Sequence, residues 1–180
     1  MPARAAWRHL LRGWHCLPAL AALWLGLPAV GAHAASEAEV KAGYLANFLA
    51  FTEWPEGGGP LRLCLLGDAS LASAVDRLDG RLVNGRAIQL LRLSEPVGLD
   101  RCKVVFIGQG ARASLGNVLD ALGGLPILTV ADSDGFARRG VMINMVLTAD
   151  RVAFEVNRAA LAHNGLAVSA RLLQLAREVY

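Results

Sequence analysis

The stretch KVVFIGQGARA, Lys103 to Ala113, has the spacing richest in possible chemistry. Gly108, Gly110 and Ala113 fit G-x-G-x-x-A between an expected strand and an expected helix, and Asp132 follows about 24 residues after Gly108, as in a dinucleotide-binding loop. In that chemistry the glycines bring backbone N–H groups to a pyrophosphate, and the acid holds a ribose. Glycines after a strand are also an ordinary way to turn into a helix. Cys64 in RLCLLGD and Cys102 in CKVVFIG offer a second chemistry. Each thiol is a nucleophile, a metal ligand, half of a disulfide or a small core residue, depending on its surroundings.

Other candidates are weaker. DSDG, Asp132 to Gly135, starts like a calcium loop but lacks the glycine and glutamate that an EF-hand needs at its sixth and twelfth positions, so a turn leaving a strand fits better. No serine lies in a G-x-S-x-G elbow. The carboxylate neighbours Asp76 and Asp79, or Glu53 and Glu56, fall at helix ends and turns, where charge is solvated. Trp54 reads as a lid over the core at the end of the first helix, with a partner contact as its second reading.

The compartment narrows these choices. Residues 1–34 carry Arg4, Arg8 and Arg12, then the apolar run CLPALAALWLGLPAV, then Ala32-His33-Ala34, the three-part form of a secretory signal peptide cut after Ala34. The apolar core is short for a membrane span. Removing those three arginines from 18 Lys and Arg leaves 15, equal to the 15 Asp and Glu. The mature chain is formally neutral, which removes any electrostatic argument for nucleic acid. Of 4 histidines only His163 lies outside the leader, so a histidine-rich metal site is excluded and any Ser or Cys nucleophile must recruit His163. Residues 35–180 are long enough for one domain with a core, but not for a separate substrate domain. Export to a compartment poor in nucleotide cofactors also weighs against the dinucleotide reading.

In an oxidising compartment the isolated pair Cys64 and Cys102 reads as a disulfide. Closing a loop of that length stabilises by about 4 kcal/mol in the chain-entropy model. Two free buried thiols stay open as the alternative, because the sequence does not give their separation.

The elements follow from periodicity. Ser36 and Glu39 have capping-box spacing, and Val40, Tyr44, Leu45, Phe48 and Leu49 recur at helical intervals up to Pro55. Leu61 to Leu66 reads as a buried strand, and Ala69 to Leu78 as a helix capped by Asp68. Asn84-Gly85 marks a tight hairpin or the start of a strand. CKVVFIG is a strand, Ala111 to Leu122 a helix, and PILTVAD a strand. VMINMVLTADRVAFEVN then gives two strands joined at Ala149-Asp150, and Asn157 caps a final helical region interrupted by Gly165. The expected class is α/β: a sheet with helices on both faces, ending in an antiparallel hairpin and a C-terminal helix.

Taken in order, VKAGYLANFLAFTEWP, LCLLGD, LDGRLVNGRAIQLLRL, CKVVFIG, PILTVADSDGFARRGVMINMV and RVAFEVNRAALAHNGLAVSARLLQLAREV resemble the YfiR-like family of exported proteins. The resemblance covers essentially all of residues 35–180. It implies a periplasmic regulator without cofactor, metal or enzymatic activity, which binds the periplasmic part of an inner-membrane diguanylate cyclase or related sensor and lowers cyclic di-GMP. It also implies a homodimer and a second partner, an outer-membrane peptidoglycan-binding lipoprotein. The family's matching cysteines fall on Cys64 and Cys102, in agreement with the disulfide. A further cysteine pair of the founding member is missing near GVMINMV. The alternative is a periplasmic small-ligand sensor or nucleotide-binding domain using Gly108, Gly110, Ala113 and Asp132. The intact mass of the exported, unreduced protein is expected to match a chain beginning at Ala35 and lacking one pair of hydrogens. A chain retaining residues 1–34, or one with two free thiols, contradicts this reading.

Overall fold

The structure, a computed structural model, describes residues 35–55, 58–67, 71–149 and 151–180. The expected leader over 1–34 and the Asp68 cap lie outside the described residues.

The first helix, α1 (Glu37–Phe51), opens on the capping box expected of its sequence. The Glu39 carboxylate accepts from the Ser36 N–H at 2.9 Å, and the Ser36 hydroxyl oxygen accepts from the Glu39 N–H. The backbone N–H of Ser36, helped by Arg77, holds the Glu39 carboxyl below its ordinary value. The helix does not run to Pro55. Thr52 turns extended, its hydroxyl donates to the Phe48 carbonyl at 2.7 Å, and Thr52–Glu53 becomes a short strand, β1.

Eight further strands and four helices follow before a last strand. They are β2 (Leu61–Leu66), α2 (Ala72–Asp76), β3 (Leu82–Val83), β4 (Arg86–Leu93), β5 (Val104–Ile107), α3 (Leu115–Leu122), β6 (Leu128–Ala131), β7 (Ile143–Thr148), β8 (Arg151–Val156), α4 (Arg158–His163), β9 (Ala167–Val168), α5 (Ala170–Leu175) and β10 (Glu178–Val179). One eight-stranded sheet has the order β10-β8-β7-β6-β5-β2-β4-β3, and β1 pairs with β9 apart from it. Strands β4, β2, β5, β6 and β7 run parallel, while β7 and β8 form the antiparallel hairpin. The hairpin does not end the sheet as expected, because β10 adds parallel to β8 outside it. Asn84 (φ 50) and Gly85 (φ 76) are both left-handed, so this dipeptide makes the tight hairpin between β3 and β4.

Two helices differ from the sequence reading. The helix expected over Ala69 to Leu78 is confined to Ala72–Asp76, and tight turns lead on to Gly80 (φ 73). The helix expected from Ala111 begins only at Leu115, because Gln109–Ser114 winds as 3-10 turns. There the Ser114 hydroxyl donates to the Ala111 carbonyl at 2.9 Å, and the Ala111 N–H donates to Gly108, which holds the tighter pitch.

Strands β2, β5 and β6 are buried on both faces, with alternate residues serving separate cores. Leu63, Leu65, Val104, Phe106 and Val130 pack with α1, α2, α4 and α5 around Phe48 and Phe154, whose ring centroids are 5.1 Å apart. Cys64, Leu66, Val105, Ile107 and Ala131 pack with α3 and Phe136. Each fully buried leucine or phenylalanine contributes about 2 kcal/mol of transfer free energy, so both layers matter to stability.

One ion pair ties α1 to the sheet. Lys41 lies on the inward side of α1 and reaches Asp132, just past β6, at 2.6 Å, with their side chains 12% and 4% exposed. Glu37 is also 2.6 Å from the ammonium. Burial would lower the Lys41 pKa, but its hydrogen bonds to Asp132 and Glu37 outweigh burial and raise it. The pair's contribution is therefore complete below the unfolded pKa of lysine and is lost as pH rises through the higher folded value, in the alkaline range. Lys41→Met leaves Asp132 buried without its cation, and urea denaturation is expected to show a loss of about 3 kcal/mol, partly recovered by adding Asp132→Leu.

Candidate functional site

In an open parallel sheet, ligands bind outside the carboxyl ends of the strands where the chain reverses its direction of addition. Here β4 adds to one side of β2 and β5 to the other, so that point lies between β2 and β5. Gly67 follows β2 and Gly108 follows β5, which places the glycine-rich loop at this crevice.

The loop's groups are already engaged by the protein. The Gly110 N–H donates to the Gly67 carbonyl at 2.9 Å, and the Gly108 N–H donates to Leu66 at 2.8 Å. A Cβ on Gly110 would lie 2.6 Å from the Gly67 oxygen, and one on Gly67, at φ +66, would lie 2.5 Å from the Ala111 nitrogen. These glycines allow two backbones to touch. The Gly110 amide is thus turned to Gly67 where the fingerprint would aim it at phosphate, and Ala113 lies exposed in the 3-10 segment. Asp132, the fingerprint's acid, is held by Lys41; its other oxygen is buried without a partner, as is the neighbouring Ser133 hydroxyl.

Cys64, central in β2, and Cys102, just before β5, are joined as a disulfide with Cα atoms 6.0 Å apart. Both are buried, at 0% and 2% exposure, among Leu66, Leu99, Val105 and Ile107. Such burial suits bracing and leaves no sulfur accessible to a substrate. His163 ends α4, exposed. Trp54 is half-buried against the larger core, with its indole N–H enclosed and unpartnered. The Arg86 guanidinium covers its ring at 5.8 Å and donates to the Gly58 and Gly59 carbonyls.

Two features escaped the sequence reading. Lys41 sits three residues before Tyr44 and seven before Phe48, on the apolar stripe of α1, and that position was the available signal. The other is surface: Leu147 is 62% and Leu175 65% exposed. Leu175 borders a groove of about 490 Å³ with Tyr44, Thr148, Arg151 and Arg177, and Leu147 lies opposite groove-lining Val152 in the hairpin.

Together these observations define an α/β domain braced by a disulfide, whose topological switch point is closed by its own backbone. The chain belongs to the YfiR/HmsC-like family (DUF4154), whose model matches residues 38–177. That family is one of periplasmic regulators in cyclic di-GMP signalling. Among the described residues no helix is long and apolar enough to cross a membrane.

Solved structures share the fold. A conserved domain protein of Vibrio cholerae is similar with a TM-score of 0.55 at 8% identity, over 81% of this chain and 60% of that one. An ABC domain from Streptococcus pneumoniae, in complex with L-Trp, is similar with a TM-score of 0.53 at 7% identity, over 80% of this chain and 62% of that one. The chain thus spans about 60% of the length of the first of these.

The two glycine environments give opposite expectations. Gly110→Ala, forced against the Gly67 carbonyl, should destabilise by about 3 kcal/mol. Gly116→Ala, in α3 with nothing within 4 Å of its Cβ, should be neutral or stabilising by up to about 1 kcal/mol. Thermal or urea denaturation of both variants checks this.

Proposed function

We propose that this chain is a non-enzymatic periplasmic regulator that binds the periplasmic part of an inner-membrane signalling protein and represses a diguanylate cyclase. The observation that carries this reading is the family match over residues 38–177. Repression needs no chemistry from the regulator, because a protein that binds the inactive state of the cyclase better shifts the equilibrium by its differential affinity. The mature regulator begins at Ala35 after removal of the leader, acts as a homodimer, and is sequestered by an outer-membrane peptidoglycan-binding lipoprotein.

The closed crevice at Gly67 and Gly110 supports a surface mode of action over a cofactor-binding one. Exposed Leu175 on the groove lined by Arg151 and Arg177, with exposed Leu147 opposite groove-lining Val152 in the hairpin, supports a protein contact on this side. Trp54, half-buried beside the Arg86 guanidinium, is a second contact.

The test is co-purification of the mature protein with the periplasmic domain of a candidate cyclase, together with cyclic di-GMP measured after deletion of the regulator. Binding and a rise in cyclic di-GMP are expected. Absence of both would sink the proposal. Leu147→Asp with Leu175→Asp should weaken binding by at least about tenfold, about 1.4 kcal/mol, with the melting temperature nearly unchanged because both side chains are already exposed.

A further inference from the structure

The ring of Phe136 is buried, yet two guanidinium groups gather at it, Arg112 at 5.8 Å and Arg139 at 5.2 Å from the centroid. Both arginines are exposed, so their guanidinium groups are open to an anion from solvent. Among the described residues neither forms an ion pair, whereas Arg77, Arg92, Arg138 and Lys41 each have a carboxylate partner. The two come from separate 3-10 turns, Gln109–Ser114 after β5 and Ala137–Arg139 after β6, and both reach the Phe136 ring because those strands are neighbours.

A cleft of about 680 Å³ adjoins them. It lies between α3 and α4, and Arg139, Leu119, Asp120 and Met142 are among its walls. Arg112 lies in the 3-10 segment that leads directly into α3, and it is tied to the cleft through the Phe136 ring that it shares with wall-forming Arg139. A Cβ at Gly116 would meet nothing within 4 Å, which leaves that wall low and open. Arginine forks fit carboxylate and phosphate oxygens, and a ring beneath them fixes their planes.

We propose that Arg112 and Arg139 bind the carboxylate or phosphate group of a small organic anion whose body occupies the cleft between α3 and α4. Asp120 on the same wall accepts hydroxyl donors from that body and selects against a second anionic group. This site is separate from the crevice at Gly67 and from the Leu147 and Leu175 surface, so its failure leaves the regulatory reading untouched.

The experiment titrates the mature oxidised protein with inorganic phosphate and with lactate, a hydroxy acid with one carboxylate, at constant ionic strength, following backbone amide shifts by NMR. Saturable shifts with either probe, centred on residues 112–116 and 139–140, are expected. Arg112→Gln with Arg139→Gln should weaken the affinity by at least about tenfold, while Arg138→Gln, whose side chain is engaged by Glu178 and Tyr180, should leave it unchanged. Where the double variant does not fold, Arg139→Lys keeps the charge, loses the fork and should still weaken binding severalfold. No saturable response to either probe, an affinity unaltered in both the double variant and Arg139→Lys, or an equal loss in Arg138→Gln would overturn the proposal.

Discussion

Strand β2 is paired on both edges and buried on both faces, and the other layers are placed relative to it. Leu63 and Leu65 face the core under α1, while Cys64 and Leu66 face the core under α3. A one-residue slip would exchange the two sets, so the register is fixed from both sides. The disulfide from Cys64 to Cys102 then anchors the chain just before β5, and the contact of Gly67 with Gly110 anchors it just after. The β2–β5 junction is thus fastened at each end of β5.

That fastening has a functional consequence. Sheets of this topology usually keep the crevice beyond such a junction open for a ligand. Here backbone meets backbone across it, and no side chain larger than hydrogen fits at Gly110 without a shift. The buried Lys41 and Asp132 pair similarly engages the acid that the fingerprint would assign to a ribose. Among the outward groups are apolar side chains at the hairpin and α5, and guanidinium groups without an ion pair beside the cleft between α3 and α4. Recognition at surfaces agrees with membership of a regulatory family.

Much of this was legible in the residues. The capping box, β2, the Asn84-Gly85 turn, the hairpin and the Asn157 cap follow from local rules, and the structure has each of them. The end of α1 was not legible, because Pro55 is the obvious stop while Thr52 is drawn into pairing with Val168, remote in sequence. The start of α3 was misplaced for a similar reason. The Gly110 N–H answers to Gly67 across the sheet, and tertiary contact overrides helical periodicity. Glycine spacing alone cannot distinguish a loop that approaches phosphate from one that approaches another loop. The convergence of Arg112 and Arg139 depends on strand order and carries no local signature.

The central claim is that the β2–β5 junction is scaffold and that recognition occurs on the outer surface. Hydrogen–deuterium exchange of the mature oxidised protein, with and without the periplasmic domain of a candidate cyclase, tests it directly. The account predicts that added protection is confined to the hairpin, α5 and the Trp54 corner, while the amides of β2, β5 and Gly108 to Gly110, slow in the free protein, do not change. Protection appearing at Gly67 and Gly108 to Gly110, with the hairpin and α5 unaffected, would contradict it.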